Sequence, residues 1–210
     1  MRTDDLVRLL AADARRTAPP RTLIILAVLA SGAIACLALI ALVGVRSDLL
    51  SALSDPRVTF KFAFAATAAI AAVAYGLRAI RPEDRSSPLF FALPVVALIA
   101  VGIALELSLT PASTWSSAAW GTTPFRCLGL IVTVALVPIA ALLQALRAGA
   151  PCRPTIAGAA AGLGGGAIGA AVFALHCPND SVLFVAIWYG LGIAIAGAVG
   201  AAGGRRRLAW

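Results

Sequence analysis

Two cysteines and the chain's only histidine are the residues with chemistry to offer. His176 and Cys177 stand side by side in the polar stretch His176-Cys177-Pro178-Asn179-Asp180-Ser181, between two long apolar segments. Cys127 opens an apolar segment further upstream. Asn179, Asp180 and Ser181 are turn and cap residues and account for themselves as a tight link into the next helix. A thiol beside an imidazole is not explained that way. Three chemistries suit Cys127 and Cys177: a structural disulfide, a sensor of oxidant or soft metal, and a thiol oxidase. A disulfide closing the stretch between them is worth about 4 kcal/mol by loop entropy, and less where the chain is already confined by a bilayer. A metal site would take Cys127, Cys177 and His176, with Asp180 or Glu106 as further donors, because thiolate and imidazole are what soft cations prefer. An oxidase normally needs more paired cysteines than these two, so it ranks last.

These residues have to be positioned by membrane helices. Apolar residues fill 61% of the 210 positions and charged ones 12%. The apolar residues fall into six blocks near the ~20 residues that a bilayer requires. They cover Thr22–Val45, Thr59–Leu77, Pro88–Leu109, Phe125–Leu146, Thr155–Leu175 and Val182–Ala202. The expectation is an all-α polytopic membrane protein, a bundle of six transmembrane helices. Residues 1–21 form an N-terminal tail, 22–204 the transmembrane domain and 205–210 a short basic tail. Ala33-Ile34-Ala35-Cys36 has the look of a lipoprotein cleavage site, but apolar sequence continues from Leu37 to Val45, and span 1 is expected to be retained.

Basic residues set the orientation. Of the 17, all but Arg46, Arg57, Lys61 and Arg126 lie in the two tails and in the second and fourth loops. Both termini are therefore expected in the cytoplasm, and Cys127 and Cys177 on the opposite face. In a bacterium that face is the periplasm, where disulfides persist. Cys152 falls on the reducing side, and Cys36 lies about 20 Å deep in span 1 at 1.5 Å per residue. The net charge of +8 is read as topology and lipid contact, not nucleic-acid binding.

The N-terminal tail is the one patterned stretch outside the membrane. Thr3, Asp4 and Asp5 suit a helix start, and Pro19 and Pro20 end it. Leu6, Leu9 and Leu10 cluster on one side, with Asp5 on the other. Such a helix lies on headgroups or seats its leucines in a partner's groove, with Asp5 at the edge. Inside the membrane, Lys61 and Glu106 should stand at similar heights and form an ion pair. Glycines four apart in span 5 (Gly158 and Gly162, Gly162 and Gly166, Gly165 and Gly169) form the small-residue pattern that lets helices touch by their backbones. Trp115 and Trp120 read as interfacial anchors, and Pro138 as a kink in span 4. No nucleophile–base–orienter set occurs, so no enzyme is expected, and no cluster of intramembrane carboxylates supports a proton-coupled transporter.

Three stretches together resemble the NrsF family, negative regulators of sigma F. They are Met1-Arg2-Thr3-Asp4-Asp5-Leu6-Val7-Arg8-Leu9-Leu10-Ala11-Ala12-Asp13-Ala14, Arg126-Cys127-Leu128, and Leu175-His176-Cys177-Pro178-Asn179-Asp180-Ser181 leading to Trp188-Tyr189. The likeness spans essentially the whole chain. It implies an anti-sigma factor of the bacterial inner membrane that holds an extracytoplasmic-function (ECF) sigma factor inactive. It also implies that an outer-face cysteine pair, here Cys127 and Cys177, takes part in the response to a stress signal. Apart from the resemblance, no cofactor is expected beyond a transient soft metal ion as the signal. Cys36 and Cys152 match nothing in that pattern. The reading from a different class is a small membrane transporter of a metal ion or solute, which would have no need of residues 1–20.

Overall fold

A computed structural model describes residues 3–5, 7–8, 21–80 and 87–208. Residues 3–5 and 7–8 are helical and exposed, Asp5 among them. Leu6, Leu9 and Leu10 lie outside the described residues.

Six long helices follow: α1 (Arg21–Leu42), α2 (Pro56–Ala79), α3 (Pro88–Leu109), α4 (Pro124–Arg147), α5 (Pro154–Ala174) and α6 (Val182–Arg207). All six are long and apolar enough to cross a membrane. The chain is an all-helical, multi-pass membrane protein. Their starts are written locally. Proline opens α2, α3, α4 and α5, where its fixed φ suits the first turn and its missing N–H is not needed. Asp55 and Ser87 cap α2 and α3 by accepting from the backbone N–H of Arg57 and Leu89.

Most helix boundaries lie within a few residues of the expected ones. α1 stops at Leu42 because the chain turns at Gly44, whose φ of 86° favours glycine. α6 runs on through Arg205–Arg207, so those residues extend the last helix. It also contains a five-residue π-helical turn, Val185–Tyr189. Pro138 is buried within an unbroken α4.

Helix α5 is the centre of the bundle. Some 72% of its apolar window is buried, against 6% for α3 at the periphery. Its glycines sort by partner. Gly158, Gly162 and Gly166 meet α6, where a Cβ on Gly162 would collide with the Ala196 carbonyl and one on Gly166 would lie 2.6 Å from Ala196 Cβ. Gly165 and Gly169 meet α4 instead, with Ile139 at 2.7 Å and Ala135 at 2.9 Å from the missing Cβ. One helix thus carries two small-residue stripes for two neighbours. Dispersion drives such close packing, because lipid is as apolar as the helices themselves. Outward-facing leucines and isoleucines such as Leu26, Leu29, Leu37 and Ile70 are exposed, as a lipid-facing surface requires.

Candidate functional site: a buried thiol pair beside an ion cluster

The connections α1–α2, α3–α4 and α5–α6 meet at one face of the bundle. Three helical hairpins bring them there, and the opposite face carries the basic ends of α4 and α6. At the meeting point α5 ends in a tight turn, with the N–H groups of His176 and Cys177 both donating to Phe173 O. That turn aims Cys177 Sγ at Cys127 Sγ in the first turn of α4, 3.9 Å away. Both sulfurs are free thiols, and both residues are buried. The neighbours expected from spacing alone are therefore direct neighbours.

Polar groups fix the pair. Asn179 contacts Cys127 Sγ through Nδ2 at 3.9 Å, and Thr123 Oγ1 lies 3.7 Å from the same sulfur. The Asn179 amide oxygen accepts from Thr122 N and Thr122 Oγ1, each at 3.2 Å. This ties the α3–α4 connection down over the thiols. Gly121, at φ 66°, makes the fit possible: a Cβ there would come within 2.6 Å of the Phe184 ring. Trp188 Nε1 donates to Ala119 O at 3.0 Å, and Trp120, Phe125 and Trp188 meet edge to face. Trp120 remains 58% exposed and Trp188 only 7%, so the exposed ring is free to act as an anchor and the buried one belongs to the cover.

Below the thiols lies an ion cluster. Lys61, with no exposed surface, places Nζ 2.6 Å from Asp180 Oδ1 and 3.1 Å from Cys177 O. Arg46 reaches the same two groups, donating from Nη1 to both Asp180 oxygens at 2.9 Å and to Cys177 O at 3.3 Å. Its other edge grips Asp48 at 2.7 and 2.8 Å. That grip holds the Asp48 carboxyl down at about 2 and raises the Arg46 guanidinium further above its already high value. The expected Lys61–Glu106 pair is therefore corrected. Glu106 pairs with Arg57 at 3.0 Å, and Lys61 with Asp180. Helix α2 begins at Pro56, so Arg57, a turn nearer the membrane face, is level with Glu106, whereas Lys61 points into the bundle toward the α5–α6 turn.

Cys177 feels this environment. Its thiol is lowered to about 6, chiefly by the hydrogen bond from Cys127, with the Lys61 ammonium helping and burial opposing. The hydroxyl of buried Tyr189 faces the same sulfur. His176 turns the other way, its Nδ1 3.0 Å from Gly44 O. Among the described residues no group of three His, Cys, Asp or Glu side chains converges as a metal site would need. Cys36 is half-buried in α1, packed against the apolar cluster that also holds Cys127 and Cys177, and Cys152 is exposed at the opposite face. Sequence reading missed Arg46 and Asn179 as parts of the site and gave Lys61 the wrong partner. The one available signal was a lysine inside an apolar span, which demands a carboxylate, with Asp180 standing at the same membrane level.

Fold and site define a polytopic membrane protein with a dithiol held at one membrane face by a buried ion cluster. The chain belongs to the NrsF family, described as negative regulator of sigma F, which it matches over residues 10–210. It is 35% identical over 214 residues to the probable anti-sigma-F factor NrsF of Azospira oryzae, and 34% identical over 215 residues to the anti-sigma-F factor NrsF of Caulobacter vibrioides. In both cases 100% of each chain is covered. No solved structure matches it. The family is one of anti-sigma factors, which regulate and do not catalyse.

Proposed function

We propose that the chain is an anti-sigma factor of the bacterial inner membrane, with both termini in the cytoplasm. It binds an ECF sigma factor and releases it when Cys127 and Cys177 are oxidised in the periplasm. The full-length relation to NrsF proteins carries the anti-sigma reading. The distribution of basic residues supports the orientation. The thiol separation of 3.9 Å supports the signal. Oxidation removes two electrons and two protons from the pair and joins the sulfurs, with the electrons passing to a periplasmic oxidant. A contraction to about 2.05 Å completes the bond. A soft metal is less favoured, because His176 is engaged by Gly44 and two sulfurs alone fall short of a four-ligand site. Leu6, Leu9, Leu10 and Asp5 are the tail residues assigned to the sigma factor.

The test is co-purification from detergent-solubilised membranes. The wild-type chain should bring down an ECF sigma factor, and Leu9→Asp or Leu10→Asp should lose it at unchanged abundance. A buried apolar anchor is worth about 1.5–3 kcal/mol, so affinity should fall tenfold or more. If no sigma factor co-purifies with the wild type, and deleting the chain leaves sigma-dependent transcription unchanged, the anti-sigma reading is wrong.

A further inference from the structure

Helices α1 and α2 reach the thiol turn through a compact polar joint. Arg46 N donates to Leu175 O at 3.1 Å, and Gly44 O faces His176 Nδ1 at 3.0 Å. Arg46 and Lys61 both hold Asp180 and both donate to Cys177 O. Cys177 is therefore gripped from two directions. Its sulfur faces Cys127 on α4, and its carbonyl is held by two cations of the α1–α2 hairpin. Bonds from ionised donors are the strong kind, and those of fully buried Lys61 are shielded from water.

Joining the sulfurs requires about 2 Å of travel, from 3.9 Å to a disulfide length. The α4 side is stiff. Cys127 N is bonded to Thr123 O in the first helical turn, and α4 packs against the α5 glycines. The turn from Pro178 to Ser181 has no regular secondary structure, so the displacement falls on Cys177. Its carbonyl bonds already measure 3.1 and 3.3 Å, and a further ~0.5 Å takes them out of hydrogen-bonding range.

We propose that Lys61, Arg46 and Asp180 form a latch that closes on the thiol state of Cys127 and Cys177 and opens when the disulfide forms. The proposal rests on the oxidant reading above. Opening the latch loosens the Arg46 loop and with it α1, the helix that leads directly from the residue 1–21 tail. The sulfur pair sits on α4 and the α5–α6 turn, so the latch supplies the route to the N-terminal hairpin. Linkage makes the coupling reciprocal: the disulfide weakens the closed latch, so the closed latch disfavours the disulfide by the same free energy, and its loss favours the disulfide. Lys61 and Asp180 are positioning residues, acting through Cys177.

The experiment compares wild type, Cys177→Ser, Glu106→Gln and the double variant Lys61→Met with Asp180→Asn, all full-length and in membranes. A hydroperoxide is added. Disulfide formation is read by alkylation shift, its midpoint by glutathione titration, and release by a sigma-dependent reporter. In the double variant the disulfide should form at a more negative midpoint, while the oxidant changes reporter output less than twofold. Glu106→Gln, which breaks only the Arg57 pair, should respond as wild type does. If the double variant is not present at wild-type level, Arg46→Gln carries the same test. A double or Arg46 variant with wild-type midpoint and wild-type response overturns the latch alone. A Cys177→Ser chain that still responds overturns the thiol reading and the latch with it.

Discussion

Lys61 is fully buried and places its ammonium 2.6 Å from Asp180, 119 residues further along the chain. This pair joins the α1–α2 hairpin to the turn that carries Cys177. Removing Asp180 leaves the buried Lys61 ammonium uncompensated, at a cost of about 3–5 kcal/mol. Removing Lys61 leaves Asp180 still held by Arg46 and costs less, and removing both is often near neutral. Lys61→Met and Asp180→Asn should each lower the melting temperature in detergent, and the double variant should recover most of the loss. Additive losses in the double variant would show that the two side chains act independently.

The cysteines should separate by position. Cys127→Ser and Cys177→Ser are expected to repress normally and to stop responding to oxidant. Cys36→Ser and Cys152→Ser should change neither property, since the first thiol lies within α1 and the second is exposed at the opposite face. A sigma-dependent reporter beside immunoblots measures both. A disulfide needed for folding would show itself differently, as low abundance and lost repression in the first two variants.

The low value of Cys177 predicts a pH dependence. Because the folded value lies near 6, below the ordinary thiol value of 9.0, the thiolate is favoured at neutral pH. Alkylation of Cys177 by a small neutral reagent should rise through pH 6 and level off by about pH 7–8. Cys127→Ala removes the principal hydrogen bond, so the midpoint should move up toward the ordinary thiol range. A profile unchanged by Cys127→Ala would assign the shift to Lys61.

The glycine stripes predict a contrast within α5 and α6. Gly162→Leu drives a side chain into the Ala196 carbonyl and the Gly197 and Gly200 backbone, and the protein should fail to accumulate. Gly190→Ala meets nothing within 4 Å and should be tolerated, gaining up to ~1 kcal/mol from helix propensity. Immunoblots of membranes distinguish the two outcomes. Equal abundance would mean that the α5–α6 seam is not close-packed.

Much of this architecture was legible without coordinates, because a bilayer permits few solutions. Long uncharged blocks must be helices, since no water is available to satisfy an open backbone. Proline then marks where α2, α3, α4 and α5 begin, with Asp55 and Ser87 capping the first two. The i, i+4 glycines of α5 announced close packing, and the shared membrane level of Cys127 and Cys177 announced their meeting. All these signals are local, or follow from counting residues across a membrane of fixed thickness.

What tertiary structure alone decided was partnership. Membrane height made Glu106 a reasonable partner for Lys61, but height says nothing about the direction a helix faces. The rotation of α2 is set by packing against α5, which turns Lys61 inward to Asp180 and leaves Arg57 for Glu106. In the same way, adjacency in sequence joined His176 to Cys177, whereas the tight turn after α5 sends imidazole and thiol to opposite neighbours, Gly44 and Cys127. The two glycine stripes of α5 were visible in the sequence, but which faced α4 and which faced α6 was not. Composition and spacing determine which residues reach a given depth in the membrane. Helix rotation and turn geometry, products of the whole packed bundle, determine which of them touch.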